Sequence, residues 1–160
     1  MQGLIKVILN LFSRKFLIKI SLILKPFFEL IFKGDRFVDP INNKSYSYFF
    51  PYGYNKLRKN ALSPGTLSLE RHRLLWIFLE KETDFFNTEN KILHIAPEQC
   101  FYKSFKKNFE SYTTCDLNSP IAEIKADVCN LPFNENEFDF VLCNHVLEHV
   151  YDDERAMKEI

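Results

Sequence analysis

The chain lacks several features that would place it early in a class of protein. Its four cysteines are spread singly between residues 100 and 143, with no CxxC pair, so free and mostly buried thiols of a cytoplasmic protein are predicted. Positive and negative residues balance at 21 each, so no global field marks a nucleic-acid binder and no nucleic-acid partner is expected. The balance hides an asymmetry, because the first third is basic and the last third acidic.

The chain also lacks a long uninterrupted apolar run. Residues 1–33 are apolar but broken by charges, and no stretch approaches the ~18–20 residues of a spanning helix. There is no small-residue cleavage site for a secretory signal. On a helical projection one side of this segment carries the charges, and apolar residues dominate the other, although Pro26 interrupts. The charged side consists of Arg14, Lys15, Lys19, Lys25, Glu29 and Lys33.

These features predict a basic amphipathic helical arm over residues 1–34. Such a helix lies in a lipid headgroup layer or packs on its own domain or a partner. The expected location is therefore cytoplasmic, with a peripheral position at the inner membrane surface as one option.

Residues 35–66 are rich in turn-forming pairs such as Asp39-Pro40 and Asn42-Asn43, which predicts a small irregular or β segment. Residues 67–87 are predicted to form a linking helix, capped by Ser63 or Thr66. Arg71, His72 and Arg73 are expected to form a solvated face, with contact to an anionic substrate as the alternative. The predicted apolar stripe is Leu67, Leu74, Leu75, Phe78 and Leu79.

From residue 88 the pattern alternates between short apolar runs and helical or loop segments. Strands are predicted at 91–97, 112–115, 124–126 and 138–143, with a helix at about 100–109. This order predicts an α/β fold with a Rossmann-like parallel sheet, whose ligands lie at the carboxyl ends of the strands. Asp116 and Asp127 each follow a predicted strand. The first is suited to ribose hydroxyls, and the second, with an apolar neighbour, to an adenine.

Three runs carry a resemblance to a known family: 127–133 (DVCNLPF), 136–141 (NEFDFV) and 145–150 (HVLEHV). In this order and spacing they resemble the methyltransferase type 11 branch of class I enzymes that depend on S-adenosylmethionine (SAM). The resemblance implies an incomplete class I methyltransferase fold that binds SAM, with Asp116 on the ribose and Asp127 and Val128 on the adenine. The cofactor-binding residues predicted in this way are His94, Ala96, Pro97, Glu98, Asp116, Leu117, Asp127, Val128, Asn144 and His145.

The first turn departs from the family pattern. His94 stands in place of the usual acid, and Ala96, Glu98 and Cys100 stand in place of the glycines of GxGxG. Glycine permits a positive φ and close backbone approach, whereas Pro97 fixes its own φ and removes a donor. Either the turn adopts another shape, with Glu98 engaging the SAM ammonium, or the site is inactive.

The sequence His145-Val146-Leu147-Glu148-His149 also fits an HxxEH zinc-protease helix. Its position after a buried strand favours other roles: first, that Glu148 and His149 begin the next helix, and second, that this group supplies acid–base chemistry. A related ExxEH metal site is third, and no metal is predicted. His145, Glu148 and His149 are the candidate catalytic residues, with His145 placed as a base for the acceptor.

Residues 51–76 resemble a region that precedes some bacterial methyltransferase domains and looks like a zinc ribbon. The positions of its knuckle cysteines correspond to Asp39, Asn42, Ser63 and Thr66, which cannot supply four thiolate or imidazole ligands. A metal-free remnant is therefore expected.

The sequence predicts a SAM-dependent methyltransferase domain over residues 88–160, covering the front half of such a domain, so a truncated chain is expected. The relatives suggest a small-molecule or saccharide acceptor. The alternative is a SAM-fold scaffold without catalysis, and the remote alternative is the metalloprotease.

Overall fold

A computed structural model describes residues 14–53 and 56–160. The chain divides into two compact units, unit 1 (Met1–Arg73) and unit 2 (Leu74–Ile160). A helix and short antiparallel strands form unit 1, and unit 2 contains a three-stranded parallel sheet with helices. The predicted fold class, an incomplete Rossmann-like α/β fold preceded by a helix and a small β segment, is confirmed.

Unit 1 begins with helix α1 (Arg14–Ile31), which continues through Pro26 rather than ending there. Residues 1–13 of the predicted arm lie outside the described residues. Within the part of the chain that is described, no helix is long and apolar enough to cross a membrane.

Two antiparallel hairpins follow in unit 1. Strand β1 (Lys33–Asp39) pairs with β2 (Lys44–Tyr46), and β3 (Phe50–Tyr52) pairs with β4 (Arg58–Leu62). The rings of Phe28 in α1 and of Phe32, just after it, pack edge-on against Phe50, with centroids 5.4 and 4.9 Å away. Aromatic side chains therefore supply much of the apolar packing of this small unit.

A buried polar network, here called the Asp39 network, joins the turn after β1 to the turn that contains Ser63 and Thr66. The Oδ1 atom of Asp39 accepts from the Ile41 amide at 3.1 Å, and Oδ2 accepts from the Thr66 hydroxyl at 2.5 Å. The Ser68 hydroxyl lies 3.4 Å from the same oxygen. Ser63 Oγ accepts from the Thr66 amide. The buried carboxyl group is thus satisfied by hydrogen bonds within the unit.

Helix α2 (Glu70–Glu82) corresponds to the predicted linking helix, but its start and its apolar face differ from the prediction. Because the helix begins at Glu70, neither Ser63 nor Thr66 caps it; both side chains bond within the preceding turn. The predicted stripe was wrong at Leu74 and Phe78, which are exposed, whereas Trp76 and Leu79 are buried.

Of the three residues predicted to form a solvated face, only Arg71 is exposed. His72 is buried, and its Nδ1 atom accepts from the Leu69 amide at 3.0 Å. Arg73 donates to the Ala61 carbonyl and lies over the Phe49 ring. These two side chains therefore hold unit 1 together instead of facing solvent.

The sheet of unit 2 has the order β6-β5-β7, with all pairs parallel. Its strands are β5 (Ile92–Ile95), β6 (Tyr112–Cys115) and β7 (Phe140–Cys143), and helix α3 (Gln99–Asn108) connects the first two. A 3-10 helix (Leu147–His149) and helix α4 (Asp153–Glu159) follow β7.

Alternating residues of β5 serve two cores, as expected for a strand covered on both faces. Leu93 and Ile95 pack with Cys115, Val128 and Ala156. On the other side His94 lies among the aromatic rings of α3, with the Phe105 centroid 6.0 Å away. The same cluster includes Trp76, which stacks on Phe105 at 5.7 Å and 7°.

The predicted strand at 124–126 is not a regular strand. Ile124 forms a single parallel bridge with Cys115, and its amide donates to the Thr114 carbonyl at 3.0 Å. The Asp116 amide in turn donates to the Ile124 carbonyl at 3.1 Å. The segment therefore runs beside β6 but pairs too briefly to extend the sheet, because Asp127 already turns back towards Asn130.

Candidate functional site: a cavity at the carboxyl edge of the sheet

The three strands of unit 2 end in register. Ile95 pairs with both Cys115 and Cys143, so the loops that begin at Ala96, Asp116 and Asn144 leave the same edge of the sheet. This is the edge at which open parallel sheets bind ligands.

A cavity of about 460 Å³ opens at this edge. Its volume falls within the range of ligand pockets, roughly 300–1,000 Å³. Six of the predicted cofactor-binding residues line it, together with the candidate catalytic residue His149. The six are Ala96, Asp116, Leu117, Asp127, Val128 and His145.

Asp116 follows β6 and is half-buried. Its Oδ1 atom accepts from the Asn118 amide at 2.7 Å and from the Ser119 amide at 2.5 Å. These bonds form an Asx-type turn, which orients the carboxylate without help from another element. The turn explains how a short loop can hold one carboxylate at the cavity.

Asp127 is held in a similar way on the neighbouring loop. Its Oδ1 atom accepts from the Cys129 amide at 2.9 Å, while its carbonyl accepts from the Asn130 amide at 2.9 Å. Val128, the next residue, is buried in the apolar core. An exposed carboxylate and a buried valine thus stand side by side on the wall of the cavity.

The turn after β5 adopts a shape that the family pattern would assign to glycine. Ala96 has φ = 51°, in the left-handed region that costs an alanine roughly 1–2 kcal/mol. Its amide donates to the Cys115 carbonyl at 2.9 Å, which helps to hold that conformation. The turn is therefore remodelled without a glycine, while Ala96 still lines the cavity.

A second buried polar network, here called the His94 network, stands behind this turn. His94 is fully buried; its Nδ1 atom lies 2.8 Å from the Tyr112 hydroxyl, and its Nε2 atom lies 2.7 Å from Glu98 Oε2. Because a carboxylate can only accept, the bond to Glu98 is donated by the Nε2–H group of His94. Burial raises the pKa of the Tyr112 phenol, which keeps that hydroxyl protonated.

Glu98 joins this network to the end of β7. Besides the bond from His94, its Oε2 atom accepts from Asn144 Nδ2 at 3.4 Å. Glu98 also precedes α3, where its carbonyl accepts from the Phe101 and Tyr102 amides. Four of the predicted cofactor-binding residues do not line the cavity: His94, Pro97, Glu98 and Asn144.

His145 comes two residues after β7 and has φ = 54°. Its exposed ring lies with Nδ1 at 3.1 Å from Glu148 Oε1. This hydrogen bond is the main cause that lowers the pKa of the Glu148 carboxyl. His145 lines the cavity. Glu148 does not line it but is hydrogen-bonded to His145.

The predicted order of roles for the HxxEH run can be compared with this geometry. Glu148 and His149 lie in the 3-10 helix, and α4 begins only at Asp153, so they do not start the next α-helix. His145 precedes the 3-10 helix in a left-handed conformation, so the two histidines do not share one face of an α-helix, as the protease motif requires. Over residues 14–53 and 56–160, no group of His, Cys, Asp or Glu side chains is placed to hold a metal ion.

The cavity also contains residues that the sequence reasoning missed. Cys129 and Asp152 line it, and the Cys129 thiol lies 3.4 Å from the Asp152 carbonyl. Burial raises the pKa of this thiol. Asp152 caps α4 by accepting from the Arg155 amide at 3.0 Å. The sequence could have predicted Asp152 as a helix cap, because an aspartate directly before a helix is a typical capping residue. It could not have predicted that Asp152 lies next to Cys129, which is 23 residues away along the chain.

Comparison with protein families gives a match within unit 2. Residues 88–160 match the family described as "Methyltransferase domain". No curated protein and no solved structure matches the chain. For residues 88–160 the match supports a domain of the class I SAM-dependent methyltransferase type.

Proposed function

We propose that unit 2 carries a SAM-binding methyltransferase site that acts on a small-molecule or saccharide-type acceptor. The observation that carries the proposal is that Asp116 and Asp127, on separate loops, line one cavity at the carboxyl edge of a parallel sheet. The family match over residues 88–160 supports the same reading.

The residues of the cavity fit the nucleoside part of SAM. The Asp116 carboxylate is suited to accept from two ribose hydroxyls, as acids at this position do in dinucleotide sites. The Asp127 carboxylate can accept from the exocyclic amine of adenine, with Val128 against the ring. The cavity volume of about 460 Å³ is adequate for a ligand of this size.

The methionine end of the cofactor would meet the remodelled turn. Ala96 presents its left-handed backbone to the cavity, while Glu98 stands behind it with Oε2 engaged by His94 and Asn144. The positively charged ammonium of SAM would be favoured near that carboxylate. To bind the ammonium, the Glu98 carboxylate would have to share or give up its hydrogen bonds from His94 and Asn144.

SAM, when bound, supplies an electrophilic methyl group on a sulfonium. Methyl transfer is an in-line displacement, so the main task of the protein is alignment, which can contribute ~7–11 kcal/mol. His145 and His149 line the cavity and are the residues placed to take a proton from an acceptor hydroxyl or amine. Glu148, hydrogen-bonded to Nδ1 of His145, orients that ring.

Calorimetric titration of the full chain with SAM tests the proposal. Asp116→Asn and Asp127→Asn should each weaken binding by about 10-fold or more, because each removes a charged acceptor. Asp84→Asn, an exposed acid of unit 2 away from the cavity, is the matched control and should bind as the parent does. Loss of affinity in the control as well, or equal affinity in all variants, would contradict the assignment.

A second experiment addresses catalysis. Methyl transfer from labelled SAM to a panel of hydroxylated small molecules and saccharides should be lost by about 10²–10⁴-fold in His145→Ala, with SAM affinity much less affected. Turnover unchanged by this substitution would remove the base role from His145.

The second candidate function is a scaffold that has the fold but no catalysis. It is favoured by one observation: the Glu98 carboxylate is already hydrogen-bonded by two protein side chains. A folded full chain that gives no heat with SAM in the titration would favour the scaffold.

We also propose that residues 35–66 are the metal-free counterpart of a zinc-ribbon-like segment. The direct hydrogen bond between Asp39 and Thr66 supports this, because it joins one position from each former knuckle. Added zinc should then leave the melting temperature of the chain unchanged, whereas an increase would contradict the proposal.

A further inference from the structure

Helix α1 exposes a continuous apolar stripe. Seven large apolar side chains, between 36% and 75% exposed, recur at the spacing of one helix face. They are Phe16, Ile20, Ile23, Leu24, Phe27, Leu30 and Ile31. A patch of this extent on a soluble surface marks an interaction site.

The stripe is not the face by which α1 packs on its own unit. Phe28 and Phe32 make the aromatic contacts with Phe50. Glu29 bonds Lys44 of β2 at 2.6 Å and pairs with Lys25 at 3.7 Å. At about 100° per residue, Lys25 and Glu29 lie on the opposite side of the helix from Phe27, and Phe28 lies about a quarter turn from it. Among the residues that the structure describes, Ile23, Phe27 and Leu30 of the stripe therefore stay more than half exposed.

A cavity of about 590 Å³ adjoins the edge of the stripe. Leu30 belongs to both, and the cavity is also lined by the exposed residues Lys33 and Lys44, of which Lys44 also pairs with Glu29. Glu29 is the one acid among its lining residues. Cations that border an apolar stripe in this way match the two layers of a lipid surface, anionic headgroups and acyl chains.

The charge of the surrounding sequence has the sign that such a surface requires. Residues 1–73 contain 13 Lys or Arg against 4 Asp or Glu, whereas residues 74–160 contain 8 against 17. The sequence of α1 itself contains Arg14, Lys15, Lys19 and Lys25 against the single acid Glu29. Basic residues near an anionic leaflet each contribute about 1 kcal/mol to binding.

We infer that α1 lies in the headgroup layer of an anionic lipid bilayer, with the stripe turned towards the acyl chains and the Lys33–Lys44 cavity over a lipid phosphate. The apolar burial supplies affinity, and the lysines restrict the binding to anionic lipid. This inference is independent of the proposed methyltransferase function, because it rests on unit 1 alone.

Co-sedimentation of the full chain with two kinds of vesicle provides the test. One kind contains phosphatidylcholine alone, and the other contains phosphatidylcholine with one quarter phosphatidylglycerol. The parent should bind the anionic vesicles at least about 10-fold more tightly than the neutral ones, and added salt should weaken the binding.

Two sets of substitutions at exposed residues distinguish binding through the stripe from non-specific binding through any exposed apolar residue. The triple variant Ile23→Asn, Phe27→Asn, Leu30→Asn should lose at least about 10-fold in affinity for anionic vesicles. The control pair Val38→Asn and Leu57→Asn changes exposed apolar residues of unit 1 away from the stripe, and it should bind as the parent does. All of these side chains are exposed, so circular dichroism should show an unchanged fold.

A charge reversal examines the cavity separately. Lys33→Glu should weaken binding to anionic vesicles by about 10-fold, while Lys59→Glu, an exposed lysine of β4, should have a much smaller effect. Equal binding by parent and triple variant would overturn the inference, as would absence of binding to either vesicle. A parent dimer that the triple variant dissociates, without vesicle binding, would assign the stripe to a second copy of the chain instead.

Discussion

The two units each contain a buried polar network. In unit 1 the Asp39 network joins two turns, and in unit 2 the His94 network lies beside the glycine-less turn after β5. Both networks join segments distant along the chain: Asp39 and Thr66 are 27 residues apart, and Glu98 and Asn144 are 46 apart. Hydrogen bonds of this kind hold together turns that local sequence would leave separate.

The two networks differ in whether their residues are exposed to solvent or adjacent to the cavity. Asp39, Ser63 and Ser68 are fully buried, and their side-chain partners lie within the same two turns, apart from Arg73 of α2, which donates to Ser68 Oγ at 3.3 Å. The His94 network instead ends at Glu98, whose side chain is 17% exposed, and at Asn144, next to the cavity residue His145. A closed network can contribute only to stability, whereas an open one can also respond to a ligand.

The largest effect on stability is expected for Asp39→Ala, which tests whether the Asp39 network stabilises unit 1. The substitution leaves the Ile41 amide and the hydroxyls of Thr66 and Ser68 without their acceptor, and each buried orphan costs about 1–3 kcal/mol. We expect a loss of about 3–5 kcal/mol in the free energy of unfolding, measured by urea denaturation with circular dichroism.

Asp35→Ala is the matched control for this change. Asp35 lies in the same strand but is exposed, so its effect should stay within about 0.5 kcal/mol. A loss below about 1 kcal/mol for Asp39→Ala would show that water replaces the carboxyl group and that the network is not closed.

The next largest effect is expected for His94→Ala. It leaves a cavity among Phe101, Phe105 and Tyr112 and removes the partner of both the tyrosine hydroxyl and Glu98. We expect a loss of about 2–4 kcal/mol. Trp76 fluorescence can follow this unfolding, because that indole stacks on Phe105 in the same cluster.

Tyr112→Phe sharpens the result for His94. It keeps the ring and removes only the hydroxyl, so the expected loss is about 1 kcal/mol. If the two variants were equally destabilised, the hydroxyl bond rather than the packing of the imidazole would hold the network.

Local patterns of sequence predicted the parts of unit 2 that depend on local chemistry. The short apolar runs predicted β5, β6 and β7, and acids directly after strand ends predicted two side chains that do line one cavity. Such signals succeed because a buried strand and the turn after it are encoded within a few neighbouring residues.

The rest depended on contacts between distant residues. Periodicity placed Leu74 and Phe78 in the core, but Trp76 is buried instead because its partners Phe101 and Phe105 come from α3. The left-handed Ala96 could not be predicted, since alanine has no local preference for a positive φ. The bonds of His94 were likewise hidden, because Tyr112 lies 18 residues away.

Cys115 offers a smaller test of how closed the neighbourhood of the sheet edge is. It is buried opposite Ile95, and burial raises the pKa of its thiol from 9.0 to about 11. The unfolded chain then loses the proton first, so the contribution of this group is fully present below about pH 9 and is lost as the pH rises towards 11.

Denaturation at a series of pH values should therefore show a shallower fall in stability between pH 9 and 11 for Cys115→Ala than for the parent. Identical slopes would mean that water reaches the thiol in the folded state.

The smallest effect is expected at the exposed pair of unit 1, Arg58 and Glu70. The guanidinium donates from Nε at 3.0 Å and from Nη2 at 3.2 Å, and this hydrogen bonding is the main cause that lowers the pKa of the Glu70 carboxyl. A lowered pKa gives stability that is present above the ordinary carboxyl range and is lost as the pH falls through the folded value. Because both side chains are nearly half exposed, Glu70→Gln should cost only about 0–1 kcal/mol at neutral pH and nothing in acid. A cost approaching that of Asp39→Ala would mean that unit 1 depends on its surface ion pair as much as on its buried network, and the contrast between closed network and exposed surface would no longer describe this unit.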